Sequence, residues 1–209
     1  MSHLVLLGDS IFDNGAYVDG APAVIDQVRV RLPKGWHASL LAVDGNTTVD
    51  IVQQVQRKPL DATHLVLSVG GNDALGCLPQ MGESVSNVIG ALKKLSKLRE
   101  AFRSRYASVL SELQALNKPL MVCTIYDAVP GLSDALKAAL GLFNDVILRE
   151  AIRSGLPVLD LREICTEAGD FSLKSPIEPS SAGGAKLADR IVAALVANDF
   201  TKAECRVYS

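Results

Sequence analysis

The sequence predicts one α/β domain, a parallel sheet with helices on both faces. Three observations carry this expectation. Five short apolar runs recur along the chain, helical patterns fall between them, and the runs are rich in Leu and Val with little polar alternation. Unbroken apolar runs suit strands covered on both faces. Strand–helix alternation builds such a sheet through right-handed crossovers.

The elements follow in order. His3–Leu7 is the first strand and ends at Gly8. Ala23–Leu32 is a short helix that Pro33 stops. Ser39–Val43 is the second strand. Val49–Arg57, apolar at 49, 52 and 55, is a helix ending before Pro59. His64–Val69 is the third strand. Glu83–Leu116 places Phe102, Tyr106, Val109, Leu113 and Leu116 on one face. As a single helix it would reach about 50 Å, too long for this domain, so a break is expected near Ser96. Leu120–Ile125 is the fourth strand. Ser133 is the expected N-cap of a helix ending at Gly155, with Arg149 and Arg153 in its last turns. Pro157–Leu159 is the fifth strand. Ser180 or Ser181 opens a final helix whose apolar face includes Leu187, Ile191 and Leu195.

Composition narrows the function. The 209 residues fit one domain spanning 1–209, with no linker or repeat. Twenty-one basic against 23 acidic side chains build no basic field, which argues against nucleic-acid or membrane-surface partners. No apolar run approaches the length of a membrane-spanning helix. The N-terminal stretch MSHLVLLGDS lacks the basic flank and apolar length of a secretory signal, so a cytoplasmic location is expected. Cys77, Cys123, Cys165 and Cys205 are widely spaced, which suits reduced thiols and argues against a zinc site. No metal and no cofactor is expected. Only three histidines are present, His3, His37 and His64.

Polar turns follow the first three strands: Gly8-Asp9-Ser10-Ile11-Phe12-Asp13-Asn14, Asp44-Gly45-Asn46-Thr47-Thr48 and Gly70-Gly71-Asn72-Asp73. In a parallel sheet these turns share one rim, where ligands bind. Ser10 is placed there as a nucleophile. Each turn taken alone is also ordinary βα-turn chemistry. Neither a G-x-G-x-x-G nor a P-loop pattern occurs. Asp9, Asp73 and Asp127 offer an alternative reading as a Mg²⁺ cluster for phosphoryl transfer, but no strand-end Lys or Arg accompanies them.

These residues resemble the SGNH/GDSL hydrolases, a family of esterases, lipases and deacetylases. Gly8-Asp9-Ser10 with Asn14 matches the first family block, Gly45-Asn46-Thr47 the second and Gly70-Gly71-Asn72-Asp73 the third. The resemblance covers nearly the whole chain. It implies a flavodoxin-like three-layer sandwich around a five-stranded parallel sheet ordered 2-1-3-4-5. It also implies Ser10 as nucleophile, with an oxyanion hole formed by the Ser10 N–H, the Gly45 N–H and the Asn72 side-chain amide. Asp9, Asp13, Asp73 and Ser175 are expected around the substrate, and Leu75–Gln80 with Met81 at the pocket border.

The family's last block, D-x-x-H, is replaced. Ser175 stands where the Asp is expected and Glu178 where the His is expected, within Ser175-Pro176-Ile177-Glu178-Pro179-Ser180. The resemblance extends to a subgroup carrying the same P-I-E-P-S run. His3, His37 and His64 begin their strands, at the opposite end from Ser10, as solvated or capping residues. Glu178 has two readings. Burial would raise its pKa and make it a base for Ser10. Alternatively it accepts from the N–H groups opening the last helix, which would lower its pKa. Lys174 is placed to neutralise Glu178 or an anionic substrate. The expected function is hydrolysis of a small ester or acetylated substrate. The alternative is a weakly active or inactive binding or regulatory protein on the same fold.

Overall fold

The computed structural model describes residues 1–209. Strands β1 (Ser2–Gly8), β2 (Trp36–Leu40), β3 (His64–Ser68), β4 (Leu120–Cys123), β5 (Val158–Leu159) and β6 (Val207–Tyr208) form one sheet in the order β2-β1-β3-β4-β5-β6. Every pairing is parallel.

The sheet has six strands, not five. The sixth is two residues long, too short to stand out as an apolar run. It adds to the edge through Val158 N–H donating to the Arg206 carbonyl at 2.7 Å and Asp160 N–H to the Tyr208 carbonyl at 2.8 Å. The second strand starts earlier than expected, at Trp36. Its ladder with β1 ends because the Leu41 and Ala42 amides both donate to the Leu6 carbonyl, at 2.9 and 3.0 Å. That shared acceptor makes a bulge, after which the Val43 amide still donates to the Gly8 carbonyl at 3.2 Å before the turn at Gly45.

Both sheet faces are covered, as the unbroken apolar runs require. Leu4, Leu6, Val66, Met121 and Leu159 pack toward α1 (Val24–Arg31) and α8 (Ser181–Ala197). Val5, Leu7, Leu67, Val122 and Val158 pack toward α5 (Val88–Gln114) and α6 (Asp134–Ser154). Alternation along each strand sends successive side chains to opposite faces.

Helix α5 is continuous over 27 residues; the break expected near Ser96 does not occur. Its later turns bury Phe102, Tyr106, Val109, Leu110 and Leu113. Its first turns extend past the core, with Val88, Ile89 and Leu92 exposed. A helix that overhangs need not break to fit. The caps follow expectation: Ser133 accepts from Leu136 N–H, Gly155 takes the left-handed conformation at φ 62°, and Ser180 accepts from Gly183 N–H. No helix is long and apolar enough to cross a membrane.

Candidate active site

Strand β1 delivers Ser10 to the rim through a tight turn. Gly8 sits at φ 136°, and a Cβ there would overlap the Ser68 carbonyl of the neighbouring strand. Only glycine permits that approach. The Phe12 and Asp13 amides both donate to the Asp9 carbonyl at 3.1 Å, closing the turn over Ser10. Ser10 itself is buried.

Gln54, unremarked in the sequence, holds this turn. Its amide grips both sides of the Gly8 backbone, accepting from Gly8 N–H at 2.8 Å and donating to the Gly8 carbonyl at 2.7 Å. It also donates to Asn46 Oδ1 at 2.8 Å. Asn72 Nδ2 donates to the Asn46 carbonyl at 2.9 Å, so the three rim turns form one network. The available signal is a polar residue on the buried side of α2 (Ile51–Gln56), where Gln54 is fully buried.

Of the three oxyanion donors that the resemblance implies, Ser10 and Asn72 line the cavity and Gly45 does not. Neither the Ser10 N–H nor the Gly45 N–H donates to another group of the chain. Asn72 spends one amide hydrogen on Asn46 and keeps the other. Gly45 adopts φ 80° on an exposed turn, beside the cavity rather than in its lining.

Glu178 lines the same cavity as Ser10 and is buried at 4% exposure. Its backbone is fixed on several sides. Glu178 N–H donates to the Ser175 carbonyl at 3.0 Å, and its own carbonyl accepts from Ser172 N–H at 2.8 Å. The flanking Ile177 carbonyl accepts from Tyr126 Oη at 2.6 Å, and the Pro179 carbonyl accepts from Asn14 Nδ2 at 3.0 Å. Asn14, the last residue of the first block, thereby anchors the Glu178 segment.

The carboxylate is held less tightly than its backbone. Oε2 is buried without a hydrogen-bond partner. Ser180, not Glu178, caps the last helix. Lys174 pairs instead with Asp19 at 2.5 Å. Burial pushes the Glu178 carboxyl above its usual range, the nearby Ser10 hydroxyl pulls it back, and Asp44 pushes it up again. The Ser10 hydroxyl thus favours the charged form of Glu178.

The other expected substrate-pocket residues divide. Asp9 lines the cavity, accepts from Ile11 N–H at 3.2 Å and is pushed up to about 8 by burial, against the pull of that amide and with the Glu178 and Asp73 charges adding to the rise. Asp13, Asp73 and Ser175 do not line it. Asp13 accepts from Asp44 N–H at 3.0 Å. Asp73 accepts from Thr48 N–H at 2.9 Å and Thr48 Oγ1 at 2.7 Å, latching two turns together. Ser175 supplies only its carbonyl to the turn at Glu178. Their polarity serves the turns rather than a ligand.

Asp9, Asp73 and Asp127 do not converge as a cation site; the one convergent group of such ligands lies elsewhere and comprises His3, His37 and Asp61. All three histidines begin their strands, as expected, but His3 is buried rather than solvated.

Beyond Ser10 the cavity is apolar. Leu75, Leu78 and Met81 wall one side, and Leu132, Leu136 and Leu140 the other. Of the border expected at Leu75–Gln80 with Met81, only Leu75, Leu78 and Met81 line the cavity. The opposite wall, from the start of α6, was not anticipated, since nothing local marks it as facing Ser10.

The sequence model of the GDSL-like lipase/acylhydrolase family matches residues 6–186. The chain is similar in structure to an extracellular lipase from Streptomyces rimosus, at 18% identity over 95% of this chain and 100% of that one, with a TM-score of 0.67. A lipase from a goat rumen metagenome superposes at 0.73, with 15% identity over 93% of this chain and 97% of that one. A variant of an acetyl xylan esterase from Geobacillus stearothermophilus superposes at 0.67, with 17% identity over 92% and 93%. No curated protein matches the chain.

Proposed function

The chain belongs to the GDSL-like lipase/acylhydrolase family, and from that premise we propose that it hydrolyses carboxylic esters through Ser10, with Glu178 as the base. The buried Glu178 carboxylate beside Ser10, with Oε2 unpartnered, carries this reading. A carboxylate that water solvates is a poor base for a serine; one that burial has destabilised is a better one.

The chemistry then runs in two halves. Ser10 Oγ attacks the acyl carbonyl while its proton passes to Glu178. The oxyanion that develops faces the Ser10 and Gly45 amides and the Asn72 side chain, donors set before the charge appears. Collapse expels the alcohol, which takes the proton back from Glu178. Water, deprotonated by Glu178, then attacks the acyl-Ser10 ester; collapse breaks the bond to Ser10 Oγ, which takes the proton back from Glu178 as the acid is released.

The expectation of a small ester or acetylated substrate is extended by the apolar cavity. Its leucine walls favour an acyl chain of several carbons over acetyl. A second reading, a binding protein that keeps the cleft, is supported by the absence of any histidine on the Ser10 side. One experiment separates them. Purified protein is given aryl esters of acetate through octanoate and a fluorophosphonate probe. The esterase reading expects turnover and Ser10 labelling, both abolished in Ser10→Ala. Turnover equal in the two proteins, or no labelling of the wild type, rejects it.

A further inference from the structure

We propose that His3, His37 and Asp61 form a binding site for a divalent transition-metal ion, of which zinc is the best match, at the end of the sheet remote from Ser10. His3 and His37 are paired in register on β1 and β2, and their rings lie 3.9 Å apart between centroids. Asp61, on the loop entering β3, brings its two oxygens to them: Oδ1 is 2.9 Å from His3 Nδ1 and Oδ2 is 3.5 Å from His37 Nε2. All three ligand atoms lie within 4.8 Å of one another. Donors about 2.0–2.1 Å from a tetrahedral zinc stand about 3.3 Å apart. The two contacts to Asp61, one to each oxygen, bracket that value, and the exposed Asp61 and His37 have room to draw the set together.

The surroundings of His3 fit a ligand. Its Nε2 lies 2.8 Å from Ser39 Oγ. Its backbone is pinned by Thr63, whose Oγ1 accepts from His3 N–H at 2.7 Å and donates to the His3 carbonyl at 3.1 Å. A metal-bound imidazole needs its other nitrogen to donate to a fixed partner. Ser39 fills that part, because a hydroxyl works in both directions. With the ion on Nδ1, the proton resides on Nε2, and Ser39 turns to accept it. Two imidazoles and one carboxylate select zinc, nickel or copper over the oxygen-seeking magnesium and calcium. The fourth position is left to water. Because the site joins β1, β2 and the loop before β3, binding is expected to stabilise the fold.

The test is calorimetric titration of the chelator-treated full chain with zinc chloride, alongside thermal unfolding with and without zinc. Saturable binding of one equivalent is expected, together with a raised Tm, and magnesium should give neither. His37→Ala, a change at an exposed side chain, should weaken zinc binding by about tenfold or more and remove the Tm rise. Ser39→Ala leaves all three ligands in place and should still weaken binding by about tenfold. Absence of saturable binding in the wild type, or His37→Ala binding zinc as the wild type does, overturns the proposal. None of these readouts depends on ester hydrolysis.

Discussion

Glu178 lies buried beside Ser10 in the same cavity, yet its Oε2 accepts no hydrogen bond. Nothing in the chain competes for that oxygen: Ser180 caps the helix and Lys174 pairs with Asp19. Glu178→Gln keeps the shape and removes the base. It should lower kcat by about 10²–10⁴-fold, the usual worth of a positioned general base. Steady-state kinetics on an aryl ester checks this, with circular dichroism to show that the variant folds.

The pH profile follows from the same carboxylate. Burial raises its pKa above the usual 4.5. The base works only when deprotonated, so activity should fall as pH drops through that raised value. The acid limb of kcat/KM should therefore lie above the ordinary glutamate range. Replacing both positions, Ser175→Asp with Glu178→His, should move the limb toward about 6.5, the histidine range.

Asn72 donates one amide hydrogen to the Asn46 carbonyl, and the other is the one proposed to meet the oxyanion. Asn72→Ala should cost about 10²–10³-fold in kcat with little change in KM, since the contact strengthens only as charge develops. The same variant also loses the bond to the Asn46 carbonyl, so a thermal melt should accompany the kinetics.

The leucine-walled cavity sets acyl preference. Burying one methylene contributes about 0.8 kcal/mol, so kcat/KM should rise by up to about fourfold per added carbon until the cavity is full. Leu140→Trp narrows the α6 wall. It should reduce turnover of octanoyl esters far more than of acetyl esters, measured as the ratio of the two kcat/KM values.

Asp9 gives a stability test independent of activity. Its carboxyl is raised from 3.8 to about 8. A group that holds its proton more tightly when folded supports folding below the unfolded pKa, and that support is lost as pH rises through about 8. Asp9→Asn stays neutral throughout. Between about pH 5 and about pH 9 it should therefore gain on the wild type by on the order of a few kcal/mol in chemical denaturation.

Part of the candidate site was legible because its signals are local. Ser10 and Asn72 sit in glycine-bearing turns close after β1 and β3, which pair in the sheet and carry both to one cavity; Gly45 follows β2 at a longer remove and stands outside the lining. The Gln54 clamp was not legible, since a glutamine in a short helix reveals nothing until Gly8 is seen beside it. Glu178 was legible as a substitution but not as a chemical group. Whether it caps a helix or faces Ser10 depends on where Ser180 and Asn14 place the chain. The sixth strand escaped because two residues carry no periodicity; β5 is what makes them a strand. The His3–His37–Asp61 group escaped for a similar reason: its members are far apart in sequence, and only strand register unites them.

The proposed mechanism turns on Glu178 taking the proton from Ser10. The rate of Ser10 labelling by a fluorophosphonate, followed against pH in the wild type and in folded Glu178→Gln, tests it most directly. The wild-type rate should rise with pH through a carboxylate-like limb above 4.5, with both the rate and the limb lost in the variant. Labelling of Glu178→Gln at the wild-type rate with the same pH dependence would contradict it.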